Sequence, residues 1–515
     1  MAILGTLVKG GLNLSKRIKQ KTFTPDELQK RTLTKLLLKS KNTAFGRFYD
    51  FNTILTTQST NDRNGLYKNF SELIPIFNYD SIFEQWWART LAGEANVTWP
   101  GKVHFFALSS GTSTATSKHI PLTKQMLKTI RQTGINQIMS LANFNFPESL
   151  FEKSMLMLGG STNLHFNGTY YEGDLSGISA NKIPFWFQHY YKPGKTLAQT
   201  EDWDQKLNTI AKSAHLWDIG YIVGVPSWIQ LLIEKIITVQ QVDNIHEVWP
   251  NLQVFCHGGV SFEPYKKGFE KLLGMPLTYI ETYLASEGFI AFQDKPNSRS
   301  MKMVLNKGIF YEFIPFNEDN FDAEGEIKND PKTIMIQDVK PEIPYAILMS
   351  TCAGAWRYLI GDVIAFTDVA NAEIVIKGRT KHFLNLCGEH LSVDNMNKAI
   401  QNTANHFNID IKEFTVAGIP YQNLFAHQWY IGTDDKVTAK AFQLVLDKAL
   451  QSLNDDYSTE RKHALKAVLV KILPTSTFYN WMEINGKQGG QHKFPRVLKS
   501  KSLVEWHNYL QKLEA

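Results

Sequence analysis

Residues 105–123 read FFALSSGTSTATSKHIPLT, and eight of these nineteen are Ser or Thr. A short apolar strand, 105–108, leads into a donor-rich turn that closes on Lys118. Backbone N–H groups in a tight turn cradle phosphate oxygens, and hydroxyls and an ammonium add further donors. Ser109, Ser110, Gly111, Thr112, Ser113 and Lys118 are therefore candidate phosphate contacts. The stretch does not fit the GxxxxGK[ST] pattern. Its plain alternative is a polar loop closed by hydroxyl-to-backbone bonds.

Five later stretches carry further chemistry. In CHGGVSFEPY, Gly258 and Gly259 follow a strand and permit close backbone approach to a flat ligand; the alternative is a simple strand-to-helix turn. TYLASEG places a ring (Tyr283), a hydroxyl (Ser286) and a carboxylate (Glu287) on one short segment. The ring can stack on a base, and the carboxylate can hold Mg²⁺ beside phosphates, unless Glu287 is spent in a buried ion pair. In WRYLIGDV an acid, Asp362, follows glycine at a strand edge, which suits ribose hydroxyls. Taken alone, Arg357 and Asp362 read as a surface salt bridge. GRTKHFLNLCGEHLS, which carries Arg379, falls at a change of pattern, and GGQHKFPRVL presents Lys493 on a glycine-rich loop stiffened by Pro495. An exposed basic loop is the alternative there.

The elements that must position these residues follow from periodicity. Between about 100 and 300, short apolar runs alternate with helical patterns: SMLMLGG, LWDIGYIVGVPSWIQLLIEKI, NLQVFCHGG, EPYKKGFEKLLG, and LTYIETYLASEG as a strand running into a loop. That alternation predicts a parallel sheet in an α/β layer, with ligands at the carboxyl ends of its strands. The stretch from about 300 to 378 is strand-rich. After Lys381 a compact α+β pattern begins, with helices at SVDNMNKAIQNTANHF and AKAFQLVLDKALQSLN and strands at KEFTVAGIP, HQWYIGT and LKAVLVKILP. A domain boundary is expected there, giving 1–380 and 381–515.

With 515 residues, more than one domain is expected. The net charge of +6, from 55 basic and 49 acidic residues, is spread along the chain and suits anionic ligands without arguing for nucleic acid. Cys256, Cys352 and Cys387 are too far apart for a zinc spacing or a disulfide framework. The opening MAILGTLVKGGLNLSKRIKQ lacks a continuous apolar core and reads as an amphipathic surface helix, not a signal peptide. The most apolar later stretch contains Pro226, Glu234 and Lys235, so no stable membrane insertion is expected. The cytoplasm is the expected compartment.

The order of these parts, from the hydroxyl loop to the late lysine, resembles the adenylate-forming superfamily. SSGTS, SKHIPLT, YLASEG, YLIGDV and QHKFPR are closer still to the auxin-responsive-promoter family of acyl acid amido synthetases in its bacterial form. The resemblance runs from Ser109 to Arg496. It implies an α/β fold: a large N-terminal adenylate-forming domain with layered sheets, plus a small mobile α+β C-terminal lid domain. It also implies an ATP- and Mg²⁺-dependent ligase that activates a small carboxylic acid as the acyl-adenylate. The acyl group then passes to an amine, an amino acid, with release of pyrophosphate and AMP. By this resemblance Ser110, Thr112 and Lys118 contact phosphates, Gly258 and Gly259 line the adenine pocket, and Tyr283 stacks on the base. Ser286 reaches the α-phosphate, Glu287 holds Mg²⁺, Asp362 and Arg379 bind ribose, and Lys493 bridges acid and α-phosphate. One departure stands out: Thr114 and Ala115 occupy the middle of the first loop, where the family usually has glycine. A Cβ there limits positive φ. Two other readings stay open, an acyl-CoA synthetase-like ligase and a nucleotide- and acid-binding protein with weakened turnover.

Overall fold

The computed structural model describes residues 23–56, 65–109, 118–180, 188–259, 262–322, 325–380, 383–389, 391–484, 494–498 and 500–514. The N-terminal helix expected within 1–20 lies outside them. The chain divides into two compact units, one holding residues 23–109, 118–259 and 270–380 and the other residues 262–269 and 383–514.

The first described helix, Pro25–Ser40, begins where sequence chemistry dictates. Thr24 and Glu27 form a capping box, and Pro25 occupies the first turn, where its missing N–H costs nothing. Leu33, Leu36 and Leu37 are buried. The buried Gln29 amide donates to the carbonyl of Leu305 (2.8 Å), and its oxygen accepts from Tyr311 N–H (2.7 Å). Strands β1 (Phe105–Ser109) and β2 (Lys118–Leu122) then pair antiparallel. After β3 (Ser154–Met157), the short β4 (His165–Phe166) and β5 (Tyr171–Gly173) complete a four-stranded sheet of order β2-β1-β5-β4.

β3 belongs to a larger sheet. With β6 (Tyr191–Lys192), β7 (Ile219–Gly224), β8 (Val254–Gly258) and β9 (Thr278–Ala285) it forms the parallel half, ordered β9-β8-β7-β3-β6. The apolar runs of β7 and β8 are buried, as parallel strands covered on both faces require. The helix Pro226–Gln240 follows β7. Its buried Trp228, Ile229, Leu232, Ile233 and Ile236 recur at helical spacing. The chain then reverses. β10 (Gly288–Phe292), β11 (Met301–Met303), β12 (Ile309–Pro315), β13 (Pro344–Thr351), β14 (Tyr358–Asp368) and β15 (Glu373–Arg379) extend the sheet antiparallel to eleven strands. The expected parallel α/β layer and the strand-rich stretch beyond 300 are thus halves of one sheet. One expectation changes: β9 does not run into an open loop but turns tightly into β10, with Gly288 opposite Ala285.

The second unit carries a small hairpin, β16 (Phe383–Leu384) and β17 (Leu391–Ser392). Its main sheet, ordered β20-β19-β18-β21, contains β18 (Glu413–Tyr421), β19 (Leu424–Gly432), β20 (Leu465–Leu473) and β21 (Val497–Leu498). Alternation along β19 sorts side chains to two cores. Trp429 and Ile431 meet Met396, Phe442 and Leu446 from the helices Val393–Phe407 and Ala439–Leu453. Tyr430 meets Phe478, Trp481 and Trp506 from the helices Thr475–Ile484 and Ser500–Glu514. The mixed α/β class with a C-terminal α+β unit is the one expected from sequence; the helices Asp455–His463, Thr475–Ile484 and Ser500–Glu514 were not expected.

Candidate functional site

The described ends of the hydroxyl stretch lie on β1 and β2, where Ser109 stands opposite Lys118. The Lys118 ammonium lies 5.1 Å over the Tyr79 ring, a cation–π distance. The Tyr79 hydroxyl in turn accepts from the backbone N–H of His119 (2.9 Å). His119 Nε2 meets one oxygen of Glu172 on β5 at 3.0 Å, which ties the base of the hairpin across the small sheet. Ser110, Gly111, Thr112 and Ser113, like Thr114 and Ala115, lie outside the described residues.

Gly258 ends β8 opposite Thr282 of β9. A Cβ on Gly258 would stand 2.3 Å from the Thr282 carbonyl oxygen, so no other residue fits without moving backbone. Gly259 follows with φ +84°, a left-handed value that glycine adopts freely. Tyr283 is one residue beyond Thr282, and Ser286 and Glu287 make the turn from β9 into β10. These residues sit at carboxyl ends of parallel strands, where the sheet changes from parallel to antiparallel and where open α/β sheets bind their ligands.

β14 and β15 bring the acid and the base together. Asp362 is paired directly with Arg379 across the two strands. Arg379 Nε lies 3.1 Å from Asp362 Oδ1, while Arg379 Nη2 donates to the carbonyl of Ile360 (3.0 Å). The Tyr283 hydroxyl donates to Asp362 Oδ2. Burial, and then the Asp362 carboxylate, push the Tyr283 hydroxyl well above its ordinary pKa, so it stays protonated and donates. Glu287 belongs to the same field. Burial pushes its carboxyl up; its own backbone N–H and the charges of Lys118 and Arg379 pull the other way, and Asp362 adds to the rise. Burial and the neighbouring Glu287 likewise keep the Tyr358 phenol protonated.

Arg357 departs from expectation. It is not a surface partner of Asp362 but a buried residue with φ +41°. Its Nε bonds Glu312 (3.1 Å), its Nη1 the carbonyls of Ser71 (2.7 Å) and Ile74 (2.6 Å), and its Nη2 Thr333 (3.1 Å) and Glu312 (2.9 Å). With its donors spent inside the protein, it fixes the entry to β14 and leaves Asp362 to Arg379. A glutamate inside the apolar run GIFYEFIPF was the sequence signal for this pair.

Among the described residues no group of three or more His, Cys, Asp or Glu side chains is arranged to hold a metal ion. Mg²⁺ does not require such a cage; it is held by one or two carboxylates together with substrate phosphates and water. Glu287, a buried carboxylate whose charged form lacks full compensation, fits that donor set. Lys493 lies outside the described residues. Sequence reasoning therefore named Lys118, Gly258, Gly259, Tyr283, Glu287, Asp362 and Arg379; the fold sets Gly258 opposite Thr282, bonds Tyr283 to Asp362, pairs Asp362 with Arg379, and puts Glu287 in the field of Lys118, Asp362 and Arg379. It missed Tyr79 and Tyr358, whose roles depend on pairing between distant segments.

Models of the GH3 family match the chain in three parts. The N-terminal domain matches residues 14–214 and 165–277, the central domain 302–377 and the C-terminal domain 394–502. The chain is 20% identical to the indole-3-acetic acid-amido synthetase GH3.4 of Arabidopsis thaliana, over 94% of this chain and 91% of that protein. It is 24% identical to the probable indole-3-acetic acid-amido synthetase GH3.1 of Oryza sativa subsp. japonica, over 45% and 40%. Among solved structures it superposes on the GH3.15 acyl acid amido synthetase with a TM-score of 0.58 at 16% identity, covering 98% of this chain and 96% of that one. With a 2-hydroxyisobutyryl-CoA ligase in complex with 2-HIB-AMP and CoA, the TM-score is 0.56 at 11% identity, covering 94% and 92%. These structural likenesses show a shared fold.

Proposed function

The chain belongs to the GH3 family, and on that premise we propose that it is an ATP-dependent acyl acid amido synthetase. In the first half-reaction a carboxylate oxygen attacks the α-phosphorus of ATP. The bond to the β-phosphate breaks and pyrophosphate leaves. In the second, the nitrogen of an amine, an amino acid, attacks the acyl carbon; the carbon–oxygen bond breaks, AMP leaves, and the nitrogen gives up a proton.

The observation that carries this reading is the linkage of Tyr283, Asp362 and Arg379 within the electrostatic field of Glu287 and Lys118. Acid and triphosphate are both anionic, so the chain must offset their repulsion as charge builds in the transition state. Lys118, with Ser109, Ser110, Gly111, Thr112 and Ser113, binds phosphate oxygens. Gly258 and Gly259 admit the adenine, and the Tyr283 ring packs on it. Asp362 accepts from the ribose hydroxyls, with Arg379 holding its charge. Ser286 donates to the α-phosphate, and Lys493 bridges acid and α-phosphate. Glu287 is the residue that would hold Mg²⁺, which when bound neutralises phosphate charge. In this reading 1–380 is the large domain and 381–515 the small lid. The protein works in the cytoplasm, where ATP and amino acids are at hand. No helix among the described residues is long and apolar enough to cross a membrane.

The test is acid-dependent ATP–pyrophosphate exchange by the full chain over a panel of carboxylic acids, followed by addition of amino acids or coenzyme A. Exchange followed by amide formation supports the proposal. Thioester in place of amide makes the chain a CoA ligase, and AMP binding without exchange leaves a binding protein.

A further inference from the structure

Two side chains hold opposite oxygens of one carboxylate. Arg379 Nε meets Asp362 Oδ1 at 3.1 Å, and the Tyr283 hydroxyl donates to Asp362 Oδ2. Arg379 is itself fixed by its bond to the Ile360 carbonyl, two residues before Asp362. Tyr283 is anchored by its own strand: it is buried on β9 and belongs to the main hydrophobic core. An ionised carboxylate offers about four lone-pair sites, two on each oxygen. The Tyr283 hydroxyl takes one on Oδ2, and Arg379 Nε faces Oδ1 as an ion pair without a hydrogen bond, so each oxygen keeps at least one free. The ribose of a nucleotide presents two adjacent hydroxyl donors. To accept both, the carboxylate plane must not rotate about χ2, a torsion that is soft in aspartate. Arg379 alone leaves that rotation incompletely held. The directional hydrogen bond from Tyr283 to the other oxygen stops it.

We infer that the Tyr283 hydroxyl is a positioning group: it locks the plane of Asp362 so that both ribose hydroxyls are read, and the preference for ribonucleotide over deoxyribonucleotide depends on it. This role is separate from that of the Tyr283 ring, which a phenylalanine would retain. It rests on the proposed assignment of Asp362 as the ribose acceptor.

The two roles separate in Tyr283→Phe, which removes one oxygen and keeps the ring. The quantity to measure is discrimination, the ratio of kcat/KM for ATP to that for 2′-dATP and for 3′-dATP in pyrophosphate exchange. Calorimetric affinities of AMP and 2′-dAMP for the same samples supply a readout without turnover. A ratio taken on one sample cancels any loss of folded protein, so a destabilised variant still gives an answer. The expected result is a discrimination ratio that falls about tenfold in Tyr283→Phe, the scale of one hydrogen bond to a charged group. Affinity for the deoxynucleotide, which keeps one hydroxyl, should fall less than affinity for the ribonucleotide. Equal weakening toward ATP and both deoxynucleotides would overturn the inference and make the hydroxyl merely structural. Asp362→Ala is the control. If it keeps the wild-type ratio, or if the wild type shows no discrimination, Asp362 is not the ribose acceptor and both assignments fall. If Asp362→Ala loses discrimination while Tyr283→Phe keeps it, only the present inference falls.

Discussion

Two buried glutamates, one in each unit, meet opposite fates. Glu389 of the second unit is fully buried. It accepts from the backbone N–H groups of Leu386 (2.9 Å), Cys387 (2.7 Å) and Gly388 (3.2 Å) and from His427 Nε2 (2.9 Å). Burial pushes its carboxyl up, but the hydrogen bond and charge of His427 and the backbone donors together outweigh burial and hold it below the usual range. Glu287 of the first unit is almost as buried, yet burial wins and its carboxyl stays high. The chain supplies full compensation to one carboxylate and withholds it from the other. A buried charge satisfied by its own fold is an element of stability. One left short is held ready for a positive ligand, at a cost the rest of the fold must bear.

The largest expected effect tests the satisfied member. Glu389→Ala leaves three N–H groups and His427 without their acceptor, and removing one partner from a buried pair costs about 3–5 kcal/mol. Urea unfolding of the full chain, followed by the fluorescence of Trp429 in the adjoining core, should show a loss on that scale. Unchanged unfolding would break the comparison, since the bonds around Glu389 would then contribute nothing.

The less compensated member should behave the other way. Glu287→Gln keeps shape and hydrogen-bonding capacity but removes the charge. Acid-dependent pyrophosphate exchange should slow by about a hundredfold, near 2.7 kcal/mol in the barrier, the scale for one oriented electrostatic group. The ligand-free melting temperature should hold or rise. Normal exchange in this variant would remove Glu287 from the site; a clear fall in melting temperature would place it with Glu389.

Titration sharpens the same contrast. For Glu287 the folded value is raised. Above the unfolded value the folded chain binds a proton that the unfolded chain has lost, so stability falls as pH rises toward the folded value. The advantage of Glu287→Gln over wild type should therefore be absent in acid and grow toward neutrality. For Glu389 the folded value is lowered. Its contribution is present above the unfolded value and is lost as pH falls through the folded one. The deficit of Glu389→Gln should shrink on acidification. Melting curves between pH 3 and 8 should thus diverge in opposite directions; parallel curves would mean that neither carboxylate titrates differently on folding.

How much of this was legible beforehand follows the same physics. Periodicity exposed the strand–helix alternation around β7 and β8 and the helices whose buried positions are leucine and isoleucine. The helices carrying Phe478, Trp481 and Trp506 were missed because aromatic residues at those positions read equally as strand. Local spacing exposed Gly258, Tyr283, Glu287 and Asp362 as types suited to a nucleotide. It could not show that Tyr283 bonds Asp362, 79 residues away, or that His427 bonds Glu389, 38 away. Such pairings are set by the tertiary fold, and the expected Arg357–Asp362 pair failed through strand register. Arg357 and Asp362 are five residues apart in sequence, but β14 is paired so that Arg379 faces Asp362.

The smallest effect concerns the backbone beside Asp362 rather than any charge. Gly361 has φ +85°, and a Cβ there would find only the Thr380 hydroxyl oxygen at 3.7 Å and Arg379 Nη2 at 3.8 Å, ordinary contacts. Gly361→Ala therefore meets no clash, and its cost is the left-handed backbone alone, about 1–2 kcal/mol. The Thr380 N–H bond to the Gly361 carbonyl (2.8 Å) resists any flip of the peptide, so Asp362 should stay opposite Arg379. Urea unfolding should move by that amount, and AMP affinity measured by calorimetry should fall less than about tenfold. A folded Gly361→Ala protein that no longer binds AMP would show that the ligand needs a backbone conformation only glycine supplies. The contrast between a fully and a partly compensated carboxylate would then account for only part of what the chain reserves for its nucleotide.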